Sequence, residues 1–378
     1  MSALAGLKIA DFSWVGAGPR STKDLADNGA TVIKIESRRR LDLGRMSPPF
    51  AGDPKDFNGS AFFAQTNTSK KSVTINLSDP RGIEVAKKLV AWADVVVENF
   101  GPGFMDRIGL GYSTLKEIKP DIVLASVSVA GKTGPMAGFR GYGNSAAAHS
   151  GHAWLSGATD GDPHMPPLAY GDVVAPMFLT VAILAALEHR AQTGEGQHLD
   201  VSQIEPMVHV IADLYATEPT EKMGNADPSF IVHGVYPTSG DGQWIAITAE
   251  TEAEAAALKA ALNITSIDDA TIATATRQHD KFVMFDLLSA AGIPAGPVLD
   301  GKEVAENPEL LAAGHFTKAD HPVLGKSSMP TPPYRFSDTK NAVTAAPLLG
   351  QHNREVFVDM LGLDPDHIDT LIAEGSLA

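Results

Sequence analysis

Two hydrophobic periodicities alternate along the first 130 residues. Short aliphatic and β-branched runs at residues 7–12, 31–36, 72–77, 94–98 and 121–127 predict strands. Amphipathic spacing between them predicts helices at 21–28, 80–92 and 113–119. Strand alternating with helix implies parallel βαβ units in a doubly wound sheet, an α/β fold. In such a sheet ligands bind at the carboxyl ends of the strands, so the loops that follow the strands are expected to carry the chemistry.

A glycine-rich stretch, 131–171, follows with little periodicity. A long apolar helix is predicted at 174–190, with Gly194 placed to take the positive φ that ends it. Its most apolar part, 174–187, is expected to be too short to span a bilayer. Residues 198–202 read as a further strand. After about residue 220 the pattern changes: 234–247 predicts two strands around a Ser-Gly-Asp-Gly turn, and an alanine-rich helix follows at 252–262. The expected organisation is a large domain over 1–220, completed by 330–378, and a smaller α+β domain over 225–320. The tail, 348–372, has a helical pattern and is expected to pack back on the large domain.

Composition narrows the functions. The 378 residues carry 30 Lys plus Arg against 45 Asp plus Glu, a net charge of −15. So acidic a chain disfavours broad binding to nucleic acid or anionic membrane, yet a local basic cluster still suits an anionic ligand. There is no cysteine, which excludes disulfides, Cys-ligated zinc, iron–sulfur clusters and a Cys nucleophile. The first residues lack a basic segment followed by an apolar one, so a cytoplasmic protein is expected.

Several fingerprints are missing. There is no P-loop, no His-Glu-x-x-His and no Gly-x-Ser-x-Gly. Gly16-Ala-Gly18 starts like a dinucleotide fingerprint, but Pro19-Arg20-Ser21 breaks it, and a tight structural turn explains it equally well. Arg38, Arg39 and Arg40 follow the second predicted strand, with Arg45 close behind; Arg107, Lys132 and Arg140 follow later ones. Three adjacent arginines alone read as a solvated charge run. Repeated cations at strand ends of an acidic chain read instead as a polyanion site, where guanidinium groups stack on rings and fork onto phosphate. Asp172 stands between the glycine-rich loop and the apolar helix. It fits a helix N-cap, with Pro176 in the first turn. From spacing the cap is the more common role, and it is compatible with a carboxylate nucleophile, held ionised by the backbone N–H groups of a helix start. His149 and His152 are candidate bases, although lone histidines near an apolar stretch are more often structural. Neither has a metal-ligand constellation around it, and no metal is assigned.

Several motifs together carry a resemblance. Asp11-Phe-Ser-Trp-Val-Gly-Ala-Gly-Pro19, Gly29-Ala-Thr-Val-Ile-Lys-Ile-Glu36, Ser72-Val-Thr-Ile-Asn-Leu77 and Val97-Glu-Asn-Phe-Gly-Pro-Gly103 resemble class III CoA-transferases. So do Gly171-Asp172, Thr193-Gly-Glu-Gly-Gln197, Gly292-Ile-Pro-Ala-Gly-Pro-Val298 and Pro347-Leu-Leu-Gly-Gln-His352. The family includes formyl-CoA, carnitine and benzylsuccinate CoA-transferases and the related α-methylacyl-CoA racemases. The likeness runs from about residue 4 to 375.

The resemblance implies a Rossmann-like large domain, a small domain and an interlocked dimer, with coenzyme A or acyl-CoA as substrate and no metal. It implies Val15, Gly16 and Ala17 near the thioester, Arg38 and Arg39 near the adenine, and Ile75, Asn76 and Leu77 beside the nucleotide. Asn99, Phe100, Gly103 and Arg107 would continue the CoA track, with Arg140 and Tyr142 nearby. Asp172 matches the catalytic aspartate, which attacks the thioester and carries CoA covalently to an acceptor acid; succinyl-CoA is a candidate donor. The racemase branch pairs this aspartate with a histidine that would fall at Tyr142, so a transferase is favoured over a racemase or epimerase. Another alternative is a CoA-binding subunit of a heteromeric transferase, so the partner is a second copy or a related subunit. Position 16 is Gly where formyl-CoA-type members carry Gln, and position 143 is Gly where the family usually has Asp or Glu; both depart from a formyl/oxalate enzyme.

Overall fold

The computed structural model describes residues 2–53, 56–215, 222, 224–341 and 343–378. The chain divides into two compact units: Met1–Ala153, Met165–Thr217 and Leu311–Ala378 form the first, Trp154–His164 and Glu218–Leu310 the second.

Six parallel strands build the sheet of the first unit: β1 (Lys8–Asp11), β2 (Thr31–Glu36), β3 (Lys71–Thr74), β4 (Val95–Glu98), β5 (Val123–Ser128) and β6 (His198–Ser202). Their order across the sheet is β3-β2-β1-β4-β5-β6, that of a doubly wound dinucleotide-binding fold. Every strand predicted in the first 130 residues is present, with no end shifted by more than three residues.

Alternation along each strand feeds two cores. Ala10, Ile33 and Val73 face one way, against Val85 and Leu89 of the Pro80–Trp92 helix. Ile9, Val32, Val95 and Val123 face the other, against Leu25 of the Ala17–Asp27 helix and Ala175, Leu179 and Ile183 of the Gly171–Thr193 helix. A strand covered on both faces must be apolar throughout, as Val95-Val-Val shows. The tail joins the first core through Val356, Phe357, Ile368 and Leu371. It is also stitched to the sheet: Asn76 donates its backbone N–H to Ser376 O at 2.8 Å, and Thr74 Oγ1 donates to Leu377 O at 2.7 Å.

The long apolar helix begins earlier and ends later than expected, at Gly171 and Thr193, and Gly194 closes it at φ +77°. Its 23 residues are long and apolar enough to cross a membrane by length and composition, which corrects the expectation from the shorter stretch. One face nevertheless lies in the core of this α/β unit. The glycine-rich stretch also holds order that its weak periodicity did not show: short helices at Gly143–His149 and His152–Leu155.

In the second unit, β7 (Val232–Pro237), β8 (Trp244–Ala249) and β9 (Ala295–Pro297) form an antiparallel sheet. Helices Glu252–Leu262, Asp269–Thr276 and Lys281–Ala290 enclose its core around Ile245, Ile247, Leu258, Ile272 and Met284. A hairpin, β10 (Phe316–His321) and β11 (Gly325–Pro330), belongs to the first unit.

Candidate active site

The strand order reverses between β2 and β4 on either side of β1, so the loops after β1 and β4 part and open a crevice. A cavity of about 1110 Å³ lies there, walled by residues that follow all six strands. Its two sides are clamped together. Trp14 donates its N–H to Asn99 Oδ1 at 2.7 Å, and Asn99 Nδ2 donates back to Trp14 O at 2.6 Å. The Trp14 and Phe100 rings meet edge-on at 5.8 Å.

Buried charges brace the floor of the β1 loop. Asp11 receives Lys70 Nζ at 3.0 Å and Thr22 Oγ1 at 2.6 Å, together with the Ser13 hydroxyl. Lys34 Nζ donates to Ser13 O at 2.7 Å and lies 2.9 Å from Asp42 Oδ2. Asp42 Oδ1 accepts from the Val15 N–H at 2.9 Å. That contact holds Val15 at φ +65°, a left-handed conformation that a β-branched residue adopts only under constraint. Strain of this kind collects where a backbone must be aimed, and Val15 lines the cavity beside Gly16 and Ala17.

Asp172 closes this end of the cavity. It is not the N-cap: Tyr170 occupies that position, and Asp172 sits inside the first turn of its helix. Its carboxylate is therefore free of capping duty. Oδ1 accepts from Gln203 Nε2 at 2.7 Å, and the Gly143 backbone N–H also donates to the carboxylate. Burial pushes the Asp172 carboxyl above its ordinary value, while Gln203, Gly143 and the Arg20 guanidinium pull it back. The helix start adds to this pull, since its N–H dipoles favour an anion. The outcome is a partly desolvated carboxylate with a fixed orientation at a cavity wall, which is what a nucleophile requires.

Most of the expected ligand residues meet at this cavity. Val15, Gly16, Ala17, Arg39, Ile75, Asn76, Leu77, Asn99, Phe100, Arg107, Arg140 and Tyr142 all line it with Asp172, as does Arg40, whose guanidinium lies 5.4 Å from the Trp14 ring centre. Arg38 and Gly103 are not among the lining residues. The Arg38 side chain turns to Leu349 O, at 3.4 Å, on the returning tail. Gly103, at φ +70°, caps the short Phe104–Arg107 helix and so places Arg107.

Two further cations are spent inside the protein. Arg45 is buried and forked onto Glu36 by two bonds of 2.7 Å, and Lys132 Nζ pairs with Glu98 at 2.9 Å. The two histidines stand off the cavity wall. His149 packs edge-on against Phe139, and His152 Nδ1 lies 3.0 Å from Ser150 Oγ.

Sequence reasoning missed Gln203 and Arg20. Gln203 follows β6 directly, where a side chain at a strand's carboxyl end is a site candidate, but nothing in its neighbours pointed to an amide. Arg20 was read only as a break in the glycine motif. Helical spacing puts it one turn beyond Gly16, to whose carbonyl its N–H bonds at 3.0 Å.

A model of the family described as CoA-transferase family III matches residues 4–353. The chain belongs to CoA-transferase family III. This family III CoA-transferase is 34% identical to the succinyl-CoA:glutarate CoA-transferase of Mus musculus, over 99% of this chain and 90% of that protein. It is 30% identical to the formyl-CoA:oxalate CoA-transferase of Rhodopseudomonas palustris, over 100% of this chain and 97% of that one. Among solved structures, a CAIB/BAIF family protein from Brucella suis superposes with a TM-score of 0.87 at 30% identity, over 95% of this chain and 99% of that chain.

Proposed function

We propose that this family III CoA-transferase moves CoA from succinyl-CoA to an organic acid through covalent aspartyl intermediates on Asp172. The observation that carries this reading is the Asp172 carboxylate at the wall of a large cavity, uncapped, hydrogen-bonded on Oδ1 and next to the bare Cα of Gly16. A transferase that uses no ATP must keep the thioester's free energy in a covalent bond, and a carboxylate does so as an anhydride and then as its own thioester. Arg39, Arg107 and Arg140 line the same cavity and would take the phosphates of CoA. Succinyl-CoA as donor is supported by the likeness to the succinyl-CoA:glutarate CoA-transferase of Mus musculus.

The racemase alternative needs a second base across the substrate's α-carbon. Among the described residues no histidine lines the cavity, and position 142 is Tyr. We also propose that the chain works as an interlocked dimer. Met177, Phe178, Val181 and Leu184 leave an apolar outer face on the Gly171–Thr193 helix, with Val181 67% exposed, and a partner would cover it.

The test is mass spectrometry of the intact protein and of its peptides after mixing with succinyl-CoA, with Asp172→Ala as control. A CoA adduct on the Asp172 peptide, absent from the variant, is the expected result. An adduct that persists in Asp172→Ala places the nucleophile elsewhere.

A further inference from the structure

Gln203 is 5% exposed and held at its backbone, where its N–H reaches both Ser128 O at 2.9 Å and Val129 O at 3.1 Å. Its side chain therefore leaves a fixed base between the ends of β5 and β6. Nε2 donates to Asp172 Oδ1 at 2.7 Å, whereas Oε1 is buried without a hydrogen-bond partner. Among the described residues no other group bonds this amide, and a carboxylate accepts only from its N–H end.

The other carboxylate oxygen has a different setting. A Cβ built on Gly16 would lie 3.2 Å from Oδ2. Gly16 and Asp172 both line the cavity, and the lack of a side chain at residue 16 leaves room beside Oδ2. Asp172 thus presents one oxygen, Oδ1, held by the Gln203 amide and a second, Oδ2, beside the bare Cα of Gly16.

Resting on the covalent reading above, we infer that Gln203 is a catalytic residue that fixes Oδ1, leaves Oδ2 as the attacking oxygen, and donates to the aspartyl carbonyl oxygen through each transfer step. In the first step Oδ2 bonds to the acyl carbon, the C–S bond breaks and the thiolate leaves with its electron pair. The thiolate then attacks Cγ of the resulting anhydride. Negative charge builds on Oδ1, the Cγ–Oδ2 bond breaks, the donor acid leaves as a carboxylate, and Asp172 becomes the CoA thioester. The acceptor carboxylate attacks Cγ in turn and expels the thiolate. The thiolate finally attacks the acceptor's acyl carbon, which releases the new CoA ester and the free Asp172 carboxylate. Twice in this cycle charge develops on Oδ1, where the Gln203 amide already points. A donor preplaced on a developing oxyanion contributes more to the transition state than to the ground state.

The experiment compares wild type, Gln203→Leu and the isosteric Gln203→Glu in rapid-quench mass spectrometry with succinyl-, glutaryl- and acetyl-CoA, across pH. In Gln203→Leu the rate of Asp172 labelling should fall about 100-fold, the loss typical of one oxyanion donor, with the KM for acyl-CoA within about 3-fold of wild type. The acid limb of the rate should move to higher pH, because the carboxylate loses a bond that favours its charged form while Arg20 and the Gly143 N–H remain. Gln203→Glu sets a like charge against Asp172 and should move that limb further up. Wild-type labelling rates and an unmoved limb in both variants would overturn the role of Gln203 and leave the aspartyl mechanism standing. A loss confined to KM or to thermal stability would overturn it as well, in favour of a structural role. No label on wild-type Asp172 from any of the three thioesters would overturn the covalent reading, and this inference with it.

Discussion

A Cβ on Gly16 would stand 3.0 Å from Cγ of Asp172, so the seat of the candidate nucleophile is shaped by the absence of a side chain in the loop after β1. Gly16 has φ −114°, which other residues adopt readily, so steric room and not backbone strain is at stake. Gly16→Ala should therefore leave folding stability within about 1 kcal/mol of wild type. It should still lower kcat/KM about 10- to 100-fold, since a small displacement of a reacting group is costly. Steady-state kinetics beside thermal melting separates the two effects. Unchanged kcat/KM would show that Asp172 shifts aside at no cost.

Adjacent arginines should behave differently. Arg39 lines the cavity, while the Arg38 side chain reaches Leu349 O. Arg39→Ala should raise the KM for acyl-CoA about 10-fold or more, the size of a lost charge-assisted bond, with a reduced dependence on salt. Arg38→Ala should stay within about 2-fold on the same scale, as its cation makes no such bond. Equal effects from both would mean that the ligand's phosphates reach beyond this cavity.

Asp24, in the Ala17–Asp27 helix, offers a pH test of stability. Burial pushes its carboxyl up to about 6 from an ordinary 3.8, with Lys23 opposing and Asp27 adding to the shift. The folded state therefore prefers the protonated form. That preference is fully present below pH 3.8 and is lost as pH rises through about 6, where ionisation costs stability. Asp24→Asn should stabilise the protein by about 1–2 kcal/mol at pH 7.5, after discounting for partial exposure. The gain should shrink toward zero near pH 4. Urea midpoints at the two pH values measure it, and a pH-independent gain would rule out ionisation as its source.

Lys70 and Asp11 form a pair wholly out of water under the β1 loop. Burial drops the Lys70 ammonium to about 8; burial also pushes Asp11 up, but Lys70 and Lys34 with the Ser13 and Thr22 hydroxyls outweigh it and hold that carboxyl below its ordinary value. Lys70→Met strands a buried carboxylate and should cost about 3–5 kcal/mol in urea unfolding. Adding Asp11→Asn should recover much of that loss, and a purely additive double mutant would show that the two groups are not coupled.

The large sheet was legible because its strands are buried on both faces. Val95-Val-Val and Val32-Ile-Lys-Ile admit few conformations, and the helices between them carry their own caps, such as Asp79 before Pro80. The glycine-rich stretch was not legible. The Gly143–His149 helix is only 7 residues long, and it exists because its start packs against the start of the Gly171–Thr193 helix. A Cβ at Gly143 would fall 2.6 Å from the Asp172 backbone nitrogen. Close approach of that kind leaves no periodic trace. Charge was misleading for a related reason. Arg45 and Lys132 read as ligand cations, but each had a carboxylate waiting at a strand end, Glu36 at the end of β2 and Glu98 at the end of β4.

The sequence by itself determined the α/β class, the strands of the parallel sheet and the family, and it singled out Asp172 as the candidate nucleophile, because local periodicity and ordered motifs are properties of the chain alone. Only the tertiary structure decided which cations face the cavity, that Asp172 is no cap, and that Gln203 holds one of its oxygens. Those facts depend on pairings that local periodicity does not announce, such as that of Gln203 with Asp172, 31 positions apart. Which partner satisfies a buried polar group is settled only when the strands that carry both are side by side.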